Sequence, residues 1–228
     1  IAFGIIFVLL FLALMIYSGN SYEPLDEMSN QITLIEDETI TRYSDRDEIR
    51  YTVENPIKNI IFIPGGLVEP ESYEYLAYSL AIEGYNVTIF KPFFNLAILT
   101  PNYASMFIDD ELDNVLIGHS LGGVVGSMLS SGEESINTVI LMGSYPIKDL
   151  SDKNVLFITA EHDEGMDIDS FNDSLKYVNE DAEFYNIEGG NHAQFGWYGP
   201  QKGDGEATIS TLEQQLIVVD AIIYYLNN

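Results

Sequence analysis

The chain has 228 residues, 46% of them hydrophobic, enough for one sizeable core. Its formal net charge of −27, from 36 acidic against 9 basic residues, argues against nucleic acid or anionic lipid surfaces as partners and suits a saline or exported setting. Without cysteine there are no disulfides or thiolate metal sites, and three scattered histidines without close spacing leave no metal and no cofactor expected.

Residues 1–17 form an uncharged apolar stretch. As a helix it would be about 26 Å long, against a hydrocarbon thickness of about 30 Å. A short membrane-spanning anchor is expected, with a cleaved signal segment as the alternative. Glu23, Asp26 and Glu27 follow, and no Lys or Arg occurs before Arg42. Basic residues tend to stay inside, so the rest of the chain is expected outside the cytoplasm. Residues 18–31 read as a polar linker and 32–228 as one folded domain.

Within that domain, 39–43 and 48–53 alternate apolar and polar residues around Ser44, Asp45, Arg46 and Asp47, the pattern of an antiparallel hairpin at a sheet edge. The apolar run 59–63 reads as a buried strand. The loop after it, Pro64-Gly65-Gly66-Leu67-Val68, carries two glycines that let backbone approach a ligand. A helix over 71–83 ends at Gly84, a strand spans 86–90, and a short helix lies near 103–110. The run 114–117 then leads into Gly118-His119-Ser120-Leu121-Gly122-Gly123 and a small-residue helix. Strand, G-x-S-x-G, helix is the pattern of a nucleophile elbow: a strained turn lifts the serine Oγ clear of the backbone, and close chain approach demands small residues on both sides. Five residues of that pattern are weak by themselves; the flanking strand and helix give them weight.

Such a serine needs an acid and then a histidine further along the chain. The strands 138–142 and 154–159 come next, and the second opens into Ala160-Glu161-His162-Asp163-Glu164. The strand-like run 182–187 precedes Glu188-Gly189-Gly190-Asn191-His192-Ala193. His119 adjoins the nucleophile and cannot easily turn back to it, and His162 lies in the acid loop, so His192 is the expected general base. Asp163 is the expected acid, with Glu161 left open as the alternative; the acid would hold the imidazole in its tautomer and stabilise the imidazolium. The backbone N–H groups of Leu121 and Gly66 are the expected oxyanion donors. Ser210-Thr211-Leu212-Glu213 is a capping box, and the helix it opens is expected to bury Leu212, Leu216, Val219, Ile223 and Leu226 on one face.

On these residues the chain resembles a small α/β-hydrolase, of the group holding carboxylesterases and dienelactone-hydrolase-like enzymes. Within that group it is similar to a membrane-anchored bacterial-type family at Pro64 to Pro70, Lys91 to Ala97, Gly118 to Gly123, Glu188 to Gly196 and Gly203 to Ser210. One departure is Ala160, where the acid loop of such proteins often begins with Gly. The resemblance implies an α/β-hydrolase fold, a mostly parallel sheet flanked by helices with a minimal lid, behind the N-terminal transmembrane helix. It also implies hydrolase activity.

The expected function is cleavage of small carboxylic esters through an acyl-enzyme on Ser120. Leu67, Phe93, Phe94 and Leu96 near the elbow, with Phe195 and Trp197 after the base, are the expected pocket residues. The connection from Met142 to Asn154 is too short for a large lid, so little apolar surface would enclose a long acyl chain. The alternative class is a non-enzymatic, membrane-anchored surface or assembly protein that keeps the fold; Ser, Asp and His in this order favour the enzyme.

Overall fold

Four apolar runs become the centre of one sheet. β3 (Asn59–Ile63), β5 (Asn114–His119), β6 (Ile136–Met142) and β7 (Asn154–Ala160) are buried along nearly their whole lengths. Parallel strands covered on both faces read this way, as continuous rather than alternating apolar runs. β4 (Asn86–Phe90) and β8 (Glu183–Ile187) extend the sheet, and the hairpin β1 (Thr41–Ser44) and β2 (Glu48–Thr52) closes one edge. The order is β1-β2-β4-β3-β5-β6-β7-β8, antiparallel in the first two pairings and parallel in the rest. The computed structural model describes Met15 and residues 18–228.

Strand alternation sends Ile60 and Phe62 to one core and Ile61 and Ile63 to the other. The first core is covered by α1 (Asp26–Leu34), α2 (Glu74–Ile82) and α5 (Thr211–Leu226), the second by α3 (Leu121–Ser130) and α4 (Ile168–Ser174). This is the α/β-hydrolase fold. A 3₁₀ turn, Pro70–Tyr73, precedes α2, and the helix expected near 103–110 is a 3₁₀ turn, Tyr103–Phe107. Helix α4 has too little apolar periodicity to be read from sequence; the Asp167 carboxylate caps it, accepting from the N–H groups of Asp169 and Ser170.

Two expectations need correction. Residues 18–31 are not a free linker. Tyr22 pairs with Val68, its N–H donating to the Leu67 carbonyl at 2.7 Å while its own carbonyl accepts the Glu69 N–H at 2.9 Å. Leu25 donates to the Trp197 carbonyl at 2.9 Å, and Met28 is buried with Tyr75 and Trp197. A few apolar residues scattered among polar ones make these contacts, and no run marks them in the sequence. In α5 the capping box forms as expected, Val219 is buried, and Leu212, Ile223 and Leu226 pack against the cores, but Leu216 is 47% exposed and the buried face also carries Gln214, Gln215, Val218, Ala221 and Ile222. The two buried amides are spent on backbone partners described below, which apolar spacing does not register.

The expected span 1–17 lies, apart from Met15, outside the described residues. Among those residues no helix is long and apolar enough to cross a membrane.

Candidate active site

Parallel strands deliver their C-terminal ends to one side of the sheet, and every candidate residue lies there. Ser120 occupies the turn between β5 and α3 with φ 52° and ψ −125°. Its N–H is anchored to the Met142 carbonyl at 3.0 Å, and its own carbonyl accepts the Ser144 hydroxyl at 2.6 Å. A side chain on Gly122 would run into the carbonyls of Ile63 and Pro64, so the elbow can pack against β3 only as glycine. Among the described residues five non-glycines have positive φ, and four of them (Leu67, Phe94, Asn95 and Ser120) lie on loops at this end of the sheet. Strain of this kind concentrates where geometry serves function.

Asp163 and His192 meet beside the elbow. His192 Nδ1 is 2.9 Å from the Asp163 carboxylate, and both side chains are 1% exposed. The carboxylate also accepts the N–H groups of Gly165 at 2.9 Å and Met166 at 2.8 Å, which fixes its orientation. Glu161 points elsewhere: it accepts the Gly189 N–H at 2.8 Å and is half exposed. Gly143, with φ +50°, floors the pair; a Cβ there would stand 2.9 Å from Asp163 Oδ2 and 3.0 Å from His192 Nδ1.

The loop bearing His192 is fastened from three sides. Gln214 accepts the Asn191 N–H at 3.0 Å and donates to the Asn191 carbonyl at 2.8 Å, and Gln215 donates to the Gln194 carbonyl at 2.7 Å. Asp204 accepts the N–H groups of His192 at 3.3 Å, Ala193 at 2.7 Å and Glu164 at 3.3 Å, so one carboxylate ties the His192 loop to the Asp163 loop. Sequence reasoning missed these groups; Asp204 lies in the motif around Gly203 to Ser210 but nothing in its spacing marks a role.

His119 is fully buried, its ring centroid 4.6 Å from that of His192 and 5.5 Å from Phe195. Burial, and then the neighbouring His192, push its pKa well below the usual imidazole value. A neutral His119 adds no positive charge beside an imidazolium at His192. Its Nδ1 lies 2.8 Å from the Tyr73 hydroxyl, which also accepts the Gly65 N–H at 3.0 Å. Tyr73, whose own ionisation is driven upward by burial, thereby links the elbow to the Gly65-Gly66 loop.

Gly66 and Leu121 touch: a Cβ on Gly66 would stand 2.9 Å from Leu121 Cδ2. Leu121 opens α3, so its N–H has no acceptor within the helix. Ser120, Gly66, Leu67 and His119 line a cavity of about 150 Å³, with Tyr22 and Lys202 also in its lining. Phe195 is not at this mouth; it is buried behind His119. Phe94 is half-buried, its ring edge-on to Phe93. A larger cavity of about 540 Å³ lies past the His192 loop, between Gln194 and Asp204, and does not include Ser120.

A model of the alpha/beta hydrolase family matches residues 59–216. The chain superposes on the Francisella virulence factor BioJ with a TM-score of 0.62 at 16% identity, over 89% of each chain. A dienelactone hydrolase from Anabaena variabilis gives 0.59 at 12% identity, over 82% of this chain and 99% of that one. A CIB-like hydrolase from Thermoplasma acidophilum gives 0.58 at 13% identity, over 80% and 98%. At these identities the likeness is one of fold. No curated protein sequence matches.

Proposed function

The chain belongs to the alpha/beta hydrolase family, and we propose that it is a serine hydrolase of small carboxylic esters. What supports this reading is the buried His192–Asp163 pair, at 2.9 Å, with the His192 ring centroid 4.6 Å from that of His119, the residue before Ser120 on its strained elbow. In this reading Ser120 Oγ attacks the ester carbonyl while His192 Nε2 takes its proton. Asp163 accepts the Nδ1–H of His192, holding the tautomer and stabilising the imidazolium. The N–H groups of Leu121 and Gly66 receive the developing oxyanion. Collapse breaks the bond to the alcohol, which leaves with the proton from His192. Water, deprotonated by the same imidazole, then cleaves the acyl-enzyme and frees Ser120.

The cavity size supports a small group at the serine: about 150 Å³, where pockets that enclose drug-sized ligands run to about 300–1,000 Å³. The test is labelling by a fluorophosphonate together with a screen of acetyl to palmitoyl esters. Ser120→Ala should abolish labelling and lower turnover by about 10⁴-fold or more; a folded Ser120→Ala protein with most of its activity would refute the reading. Residues 1–17 are read as a membrane anchor holding the domain outside the cytoplasm. Protease added to intact cells should then reach the domain, and protection until lysis would contradict that placement.

A further inference from the structure

The wall of the Ser120 cavity is built partly by the chain that directly follows the apolar stretch 1–17. Tyr22 lines the cavity and is bridged to Val68, and Ser21 Oγ accepts the Asn95 amide at 2.9 Å. From residue 17 to residue 22 a fully extended chain reaches roughly 18 Å at most. The path here is shorter, because Gly19 N–H returns to the Met15 carbonyl at 3.0 Å and Ser21 N–H to that of Ser18 at 3.1 Å. The chain that joins the uncharged stretch to the domain therefore passes the cavity mouth.

The same mouth carries an apolar rim. Leu67 N–H bonds the Asn95 carbonyl at 2.8 Å, and the Leu96 side chain lies 3.7 Å from where a Cβ on Gly66 would be. The 3₁₀ turn that follows, Ala97–Leu99, packs on α3 and leaves Ile98 and Leu99 40% and 46% exposed. Leu25, which lines the larger cavity past the His192 loop, is 39% exposed. The cavity accommodates one small side of an ester, so the larger side must lie out across this rim.

We propose that the rim rests on a zwitterionic lipid surface, and that the site removes a short acyl group from an alcohol itself held in that lipid. This rests on the esterase reading above and names its substrate class. The short acyl side enters the cavity at Ser120, and the alcohol's apolar part stays in the bilayer, which gives it the cover the cavity cannot. Ester and water yield a short carboxylic acid and the lipid-borne alcohol. The net charge of −27 selects zwitterionic over anionic surfaces.

The full chain in phosphatidylcholine vesicles provides the test. Hexadecyl acetate in the bilayer should be cleaved faster than ethyl palmitate, and the reverse order would overturn the assignment of the short side to the cavity. Ile98→Ser with Leu99→Ser should lower hexadecyl acetate turnover about tenfold, through lost apolar contact with lipid, and leave water-soluble nitrophenyl acetate nearly unchanged. Equal losses on both substrates, or none on either, would overturn the proposal. Because the chain has no cysteine, Leu99→Cys takes a bimane at one site. Nitroxide-labelled lipid should quench it, and should not quench a bimane on Met106→Cys, which neighbours Asn59 and Asn86 at the opposite end of the sheet. No quenching at 99, as when residues 1–17 or a second copy cover the rim, would sink the lipid contact. If nitrophenyl acetate is not cleaved and the fluorophosphonate fails to label, the esterase reading falls, while the quenching still decides where the rim lies.

Discussion

Replacing Gly143 by alanine asks how finely the His192–Asp163 pair is placed. Gly143 directly follows β6 with φ +50°, its N–H fixed to the Ile158 carbonyl at 2.9 Å, so the backbone cannot swing away. Alanine in the left-handed region costs roughly 1–2 kcal/mol. The new Cβ also stands 2.9 Å from Asp163 Oδ2 and 3.0 Å from His192 Nδ1, inside normal contact, so the pair must shift. A displacement approaching 1 Å at a catalytic base costs on the order of 10²-fold in kcat. A loss of 1–2 kcal/mol lowers the Tm by roughly 2–8 °C for a domain of this size. Gly84→Ala is the matched control: φ is +93°, and its Cβ meets only the flexible end of Ile57 at 3.1 Å. It should show a similar Tm loss with unchanged kcat. Nitrophenyl acetate kinetics and calorimetry on both variants decide the matter. A folded Gly143→Ala enzyme with wild-type kcat would refute the argument, and equal activity losses in both variants would reassign the effect to general strain.

Asp163→Asn should cost about 10³–10⁴-fold in kcat by leaving His192 in the wrong tautomer, whereas Glu161→Gln should cost little; the opposite ranking in steady-state kinetics would move the acid to Glu161. Asp204→Ala frees two base-loop N–H groups and one on the acid loop, so kcat should fall about 10- to 100-fold with a small change in KM, by loss of positioning, and partial rescue by Asp204→Asn is expected; an unchanged kcat would remove that role. His119 has its folded pKa depressed below the unfolded value of 6.5, so the unfolded chain binds the extra proton and stability is complete above that pH and lost as pH falls beneath it. Wild type should lose up to about 1.4 kcal/mol per pH unit below pH 6.5 relative to His119→Gln, and denaturant titrations with parallel slopes for the two proteins would contradict a buried neutral imidazole.

The central strands were legible because parallel strands under two helical layers are continuous apolar runs, and the elbow because a strained turn tolerates few residue types. The order Ser120, Asp163, His192 followed from where those runs stop. What escaped was held by polar contacts. Gln214 and Gln215 belong to the buried face of α5 because they bond the Asn191–Gln194 backbone, and a count of apolar positions placed Leu216 there instead. Asp204 and Tyr73 act across long sequence separations, through hydrogen bonds that leave no periodic trace. Helix α1 was hidden in a polar segment because its docking uses backbone pairing at Tyr22 and Leu25 more than side-chain area.

The clamp that α5 places on the base loop also has a consequence in time. During synthesis Ser120 leaves the ribosome early, and β3, β5 and α3 can assemble around it at once. Asn191 and His192 follow with no amides to receive them, because Gln214 and Gln215 are still to be made. In the esterase reading a growing chain thus carries the proposed nucleophile while the proposed base is unclamped, and the two are set together only when the helix of residues 211–226 closes on the sheet.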